Sequence, residues 1–152
     1  MKRRDFMNAQ PATQERHGGC LCGAVRFTTI GPPNRVGICH CLNCRKRHGS
    51  PINVFAVFDT DKIVLQGNLL PRPSPAGSRL ACDACGVDIC WMDESGSETE
   101  IHVGAMDEIG IWVPQYELWT KRREPWMRPL AVPQYEEDRP ADGAMGPQRL
   151  VE

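Results

Sequence analysis

Residues 18–23 read Gly-Gly-Cys-Leu-Cys-Gly, and the reading of the two thiols in this stretch decides the fold. On a strand, residues i and i+2 point to one face, so Cys20 and Cys22 converge if the backbone tightens. The flanking glycines permit that tightening. Working outward, the next thiols are Cys39, Cys41 and Cys44 in Cys-His-Cys-Leu-Asn-Cys, followed by Cys82 and Cys85 in Cys-Asp-Ala-Cys-Gly. Seven of the eight cysteines therefore lie in three tight clusters, and only Cys90 stands apart.

Two zinc sites account for these seven residues. Tetrahedral thiolates at a Zn–S distance of about 2.3 Å need neighbouring sulfurs close together, and a tight turn supplies this. The pairs Cys20/Cys22 and Cys82/Cys85 together would close a structural site, with Gly86 easing the second turn. Cys39, Cys41 and Cys44 can hold one metal from one side and leave an open position, where chemistry can occur. The spacings alone also allow a site shared between the first two clusters. By the same alternation, His40 points away from the metal that Cys39 and Cys41 share. Three thiolates on one divalent zinc leave about one net negative charge. Arg45, Lys46 and Arg47 follow at once, either to offset it and attract an anionic substrate or as a solvated helix face.

The bulk properties agree with a stapled domain. At 152 residues the chain suits one domain. Aromatics make up only 7%, while 14 Gly and 13 Pro imply many turns around a thin core. Structural zinc is worth roughly 10–16 kcal/mol, against about 5–15 kcal/mol for a whole domain, so the fold is expected to depend on the metal. A net charge of −1 gives no global field toward nucleic acid or anionic lipid. No apolar run approaches the roughly 20 residues of a membrane span. The twin arginine in MKRRDFM is followed by no apolar segment and no cleavage site, so the expected location is cytoplasmic, with reduced cysteines.

Alternation and turn signals predict a mostly β chain. Strands are expected over 24–30, 36–39, 87–92 and 99–103, with a late extended edge at 116–120. A short helix is expected over 41–48. Residues 52–58 and 62–65 read as a hairpin, and residues 67–78, rich in Pro and Ser, as a loop. Residues 1–16 are expected to form a mobile arm, 17–135 the zinc-binding domain, and 136–152 a disordered tail. Cys90 reads as a buried apolar thiol and His102 as structural. Trp112, Trp119 and Trp126 read first as packing residues, with lining of a ligand cleft as their second reading.

The succession GGCLCGAVRF (18–27), CHCLNCRKRHGSP (39–51) and CDACG (82–86) resembles the glutathione-dependent formaldehyde-activating family, whose wider relatives include centromere protein V. The resemblance continues through HVGAMDE (102–108) and ELWTKRREPWMRPL (117–130). It implies a β-tent of stacked antiparallel sheets, as in zinc-containing Rab-GTPase chaperones. It also implies Cys20, Cys22, Cys82 and Cys85 as structural zinc ligands and Cys39, Cys41 and Cys44 as catalytic ones. The implied activity is that of a carbon–sulfur lyase condensing glutathione, the co-substrate, with formaldehyde. His40 or His48 would supply a proton, and Arg45 and Lys46 would help hold the anionic thiol. Read from its residues alone, the segment 117–126, with Lys121, Arg122 and Arg123, is also able to close over an anionic tripeptide, as one of two readings beside that of an ordinary solvated segment. Two other readings of function stand beside the lyase: an enzyme for another small electrophile, and a zinc-stapled binding module without catalysis. Oligomeric state is not legible.

Overall fold

The computed structural model describes residues 10–141 and is built from two sheets. The small sheet has the order β1-β2-β5, formed by Glu15–Gly19, Arg26–Ile30 and Ile63–Gln66. The large sheet has seven strands in the order β10-β3-β4-β9-β8-β7-β6. Its members are β3 (Arg35–Cys39), β4 (Asn53–Asp59), β6 (Leu69–Ser74), β7 (Gly77–Cys82), β8 (Asp88–Asp93), β9 (Glu98–His102) and β10 (Tyr116–Leu118). All pairings are antiparallel except β10 on β3. Among the described residues, one α-helix, α1, spans Leu42–His48. No helix among the described residues is long and apolar enough to cross a membrane.

The two faces of the large sheet have different tasks. Along β4, Val54, Ala56 and Phe58 alternate with Asn53, Phe55 and Val57, which places the two sets on opposite faces. Ala56 and Phe58 join Val25 and Phe27 of the small-sheet side with Val36, Ile89, Ile101 and Trp112 in the main core. Phe58 meets Trp112 edge-on at 5.5 Å between ring centres. Phe55 and Val57 belong to a second cluster with Cys39, Cys44, Tyr116 and Tyr135. The mostly β, two-sheet expectation holds.

Two local expectations do not. The segments 52–58 and 62–65 form no hairpin. A 3-10 turn at Thr60–Lys62 redirects the chain, and β5 pairs with β2 in the other sheet. The cause is that β4 already has β3 and β9 on its two edges, leaving no edge for β5. Residues 67–78 are not a loop but a hairpin, β6 with β7. Pro71 and Pro73 are tolerated because β6 is the outermost strand, paired on one side only.

Only the inner part of each chain end is described. Of the arm expected over 1–16, residues 1–9 lie outside the described residues, whereas Glu15 and Arg16 already pair with Ile30 and Thr29 in β1. Of the tail expected from 136, residues 142–152 lie outside them, whereas Glu137 accepts from Lys121 and Asp138 accepts from the Trp119 indole.

The parallel strand β10 is fastened by one carboxylate. Glu117, 2% exposed, accepts from His40 Nε2 at 2.7 Å and Arg123 Nη2 at 2.9 Å through one oxygen. Through the other it accepts from the Leu130 backbone N–H at 2.6 Å and Gln134 Nε2 at 3.1 Å. Four donors occupy both oxygens of an ionised carboxylate. Burial alone would raise its pKa, but the bonds from His40, Leu130, Gln134 and Arg123 outweigh burial and hold it down at about 2. The folded value lies below the ordinary 4.5. This contribution is therefore present above pH 4.5 and is lost as pH falls toward 2. Replacing Glu117 with Ala strands several buried donors, one of them charged, and is expected to cost about 3 kcal/mol in urea unfolding at pH 7. The deficit should narrow below pH 4; a deficit independent of pH would show that the ionised carboxylate is not what matters.

Candidate metal centres

Two cysteine groups bring their sulfurs within 4.8 Å of one another, and either could hold a metal ion. The first unites Cys20 and Cys22, from the turn between β1 and β2, with Cys82 and Cys85, from the turn between β7 and β8. Cys20 Sγ lies 3.5 Å from Cys22 Sγ, and Cys22 Sγ lies 3.8 Å from Cys82 Sγ. A tetrahedron of sulfurs about 2.3 Å from a central ion has edges of about 3.8 Å. All eight cysteines are free thiols.

The two turns repeat one design. In the first, the Gly23 N–H bonds the Cys20 carbonyl and the Cys20 N–H bonds that of Val25; in the second, Gly86 bonds Cys82 and Cys82 bonds Val87. Gly23 and Gly86 sit at φ 80° and 75°, where a side chain would be strained. The turn then lets Val25 N–H donate to Cys20 Sγ at 3.2 Å.

The second group is Cys39, at the end of β3, with Cys41 and Cys44 at the start of α1. Cys41 caps the helix: its sulfur accepts from the Cys44 N–H at 3.3 Å. Cys39 Sγ accepts from the Cys41 N–H at 3.5 Å. Gly49, at φ 58°, ends the helix. The three thiols interact through their S–H protons. Hydrogen bonds from Cys39 and Cys44 hold Cys41 well below the usual thiol range, and the same contact with Cys41 pushes Cys39 up. A cation that displaces those protons suits such a donor set.

A cavity of about 590 Å³ opens beside this second group, and Cys39, Cys41 and Cys44 all line it. Its size falls within the roughly 300–1,000 Å³ typical of small-molecule sites. The floor follows from strand register. Arg79 of β7 stands opposite Trp91 of β8, Trp91 opposite Glu100 of β9, and Glu100 opposite Val57 of β4. The tip of the β6–β7 hairpin (Ser74, Pro75, Ala76) and Trp119 complete the walls. Ala76 and Trp119, at φ 57° and 56°, are the non-glycine residues with left-handed backbone among those described. Backbone strain of this kind concentrates at functional sites.

The structure brings together the seven metal-ligand candidates but not the other expected site residues. His40 is fully buried behind the second group and bound to Glu117, as its opposite orientation on the strand predicts. His48 packs edge-on against His102, with ring centres 4.5 Å apart, and burial lowers the pKa of both. Neither His40 nor His48 lines the cavity. Arg45 is engaged by the Arg122 carbonyl and the Glu124 carboxylate, and neither it nor Lys46 lines the cavity. Lys and Arg on α1 point outward because its one buried position is Cys44. Of the segment 117–126, Leu118, Trp119 and Arg122 reach the cavity wall. Trp112 is core, and Trp126 is 70% exposed. Cys90 is buried, and burial pushes its thiol up to about 12.

The charged wall residues missed in the sequence are Arg79, Glu100 and Asp138. Burial pushes the Glu100 carboxyl up to about 7, against the attraction of Arg35 and Arg79 and with help from Glu98 and Asp138. For Arg79 and Glu100 the only sequence signal was their place on alternating strands; Asp138, outside any strand, carried none.

Residues 15–122 match the family model described as glutathione-dependent formaldehyde-activating enzyme. The chain belongs to this enzyme family. No curated protein matches it significantly. Among solved structures, a crystal structure of a Rhodobacter sphaeroides protein, a structural genomics target, is similar at 21% identity and a TM-score of 0.50. The match covers 61% of this chain and 89% of that one, and supports the fold.

The raised Glu100 makes a pH prediction. A carboxyl whose folded pKa lies above its ordinary 4.5 is protonated more in the folded state, so its ionisation removes stability as pH rises from 4.5 to about 7. Glu100→Gln should lack this loss. The melting temperature of the variant should therefore gain on the wild type as pH rises through that window, and parallel curves would refute the raised pKa.

Proposed function

We propose that the chain is a zinc-dependent carbon–sulfur lyase of the formaldehyde-activating type, condensing glutathione with formaldehyde to S-(hydroxymethyl)glutathione. The observation that carries this reading is the opening of the Cys39/Cys41/Cys44 group, three sulfurs and no fourth protein ligand among the described residues, onto the cavity. Cys20, Cys22, Cys82 and Cys85 would hold a structural zinc. Cys39, Cys41 and Cys44 would hold a second, which when bound supplies a Lewis acid that lowers the pKa of an incoming thiol. Ligand thiols suit a reducing compartment, and we place the protein in the cytoplasm.

The chain's own residues account for the rest of the chemistry. The thiol loses its S–H proton, and its sulfur forms the C–S bond as the carbonyl π pair moves to oxygen. That oxygen then takes up a proton, so atoms and charge balance without oxidant or reductant. Glu100, whose carboxyl changes charge near neutral pH on the cavity wall, is the group suited to take the first proton and return it. His40, whose Nε2 is bound to Glu117, does not line the cavity and is the less suited group. Phe55, Trp91 and Trp119 give the cavity apolar walls.

The test uses protein purified without added metal. Mass spectrometry should find two zinc ions per chain, and exchange NMR should show the glutathione–formaldehyde adduct forming faster than in buffer. Cys44→Ser should keep the fold, lose one zinc and lose the acceleration. Cys85→Ser should unfold or fail to become soluble. A wild-type rate equal to the buffer rate would overturn catalysis and favour the binding module. Acceleration only with another aldehyde would move the substrate assignment.

A further inference from the structure

Two arginines line the cavity, Arg79 and Arg122, and neither is in an ion pair with a described carboxylate; Arg122 is exposed to solvent, whereas Arg79 is buried. Arg35 pairs with Glu98, Arg45 with Glu124, Arg47 with Asp88 and Arg123 with Glu117. Arg79 is 8% exposed, deeper than any other arginine described, and no carboxylate of the described residues lies within 4.0 Å of it. Its one hydrogen bond runs from Nη2 to Cys44 Sγ at 3.8 Å. A buried charge is costly unless paired, and a sulfur at this distance is a weak partner for a group with five donors. The remaining donors belong to a residue that lines the cavity.

Position adds to the argument. Arg79 shares its row with Trp91 and Glu100, so the cation lies on the floor between an indole and the Cys44 sulfur. A planar guanidinium grips a carboxylate with two parallel hydrogen bonds, which an ammonium cannot do. A molecule with a carboxylate a few bonds from a thiol would reach the guanidinium with one end and the three cysteines with the other. A thiol without the carboxylate would leave the guanidinium unpaired.

We propose that Arg79 is the specificity-determining residue of the cavity, holding a carboxylate of the thiol substrate beside Cys44 and so selecting carboxylate-bearing thiols over neutral ones. The assignment rests on the reading of the cavity as a thiol site. It differs from a role for Arg79 as mere support to Cys44, which would affect every thiol alike.

The experiment compares glutathione with its diethyl ester, which keeps the thiol and masks both carboxylates, by titration calorimetry on the metal-loaded protein. The wild type should prefer glutathione by about 10- to 100-fold, the range of a charge-assisted pair. Arg79→Gln should erase the preference by weakening glutathione alone and leave the ester unchanged. Arg79→Lys, which keeps the charge in the folded site but lacks the fork, should retain a reduced preference, and it answers the question if the Gln variant does not fold. An undiminished preference in either variant, or equal weakening of both thiols, would overturn the role of Arg79 while leaving the thiol site standing. Wild-type protein that binds neither thiol would overturn both.

Discussion

Four sulfurs from two turns have to meet at one point, with Cys22 and Cys82 separated by 60 residues of chain and 3.8 Å of space. The first turn belongs to the small sheet and the second to the large one, so their meeting fixes how the sheets stack over the shared core. Each sulfur pair depends on a glycine in left-handed conformation that closes its turn. With aromatics at only 7% of the chain, the core alone has little large apolar surface to bury. A metal ion at this point would therefore contribute on the scale of the whole domain's stability.

The opposite face of the large sheet carries the smaller cluster around Phe55, Val57 and Tyr116, and the cavity is built beside it. Strand register lays Arg79, Trp91, Glu100 and Val57 in a row across four strands. The Cys39/Cys41/Cys44 group closes one side, where β3 runs into α1. Two carboxylates show how placement decides chemistry. Glu117 is surrounded by four donors and is held at about 2, as a fixed anion that fastens β10. Glu100 has Glu98 and Asp138 among its neighbours and little compensation for burial, and it rises to about 7. One serves structure and the other is poised for proton transfer, by the balance of desolvation against hydrogen bonding.

What was legible in the chain was what spacing controls locally. The two turns, the helix capped by Cys41, the turning of His40 away from the second cysteine group and the burial of Cys90 all follow from periods of two or from tight-turn geometry. The path of β5 was not legible, because it depends on which strand edges remain open after β3 and β9 have flanked β4. The β6–β7 hairpin was hidden by Pro71 and Pro73, whose tolerance depends on β6 being an edge. The cavity's charged residues were hidden for a related reason. Arg79, Glu100 and Asp138 come from distant segments, and only the register across the sheet brings the first two to one face. The basic run after Cys44 drew attention because it was near in sequence, yet the helix turns Arg45 and Lys46 away from the cavity.

The central claim is that the seven clustered cysteines form one closed and one open zinc site, the open one facing the cavity. Anomalous diffraction at the zinc edge, from crystals grown with glutathione, tests it directly. The account predicts two peaks: one ringed by Cys20, Cys22, Cys82 and Cys85, the other bound by Cys39, Cys41 and Cys44 with the glutathione sulfur as fourth ligand. A peak at the second group completed by a fourth protein side chain, or no peak there at all, would contradict it.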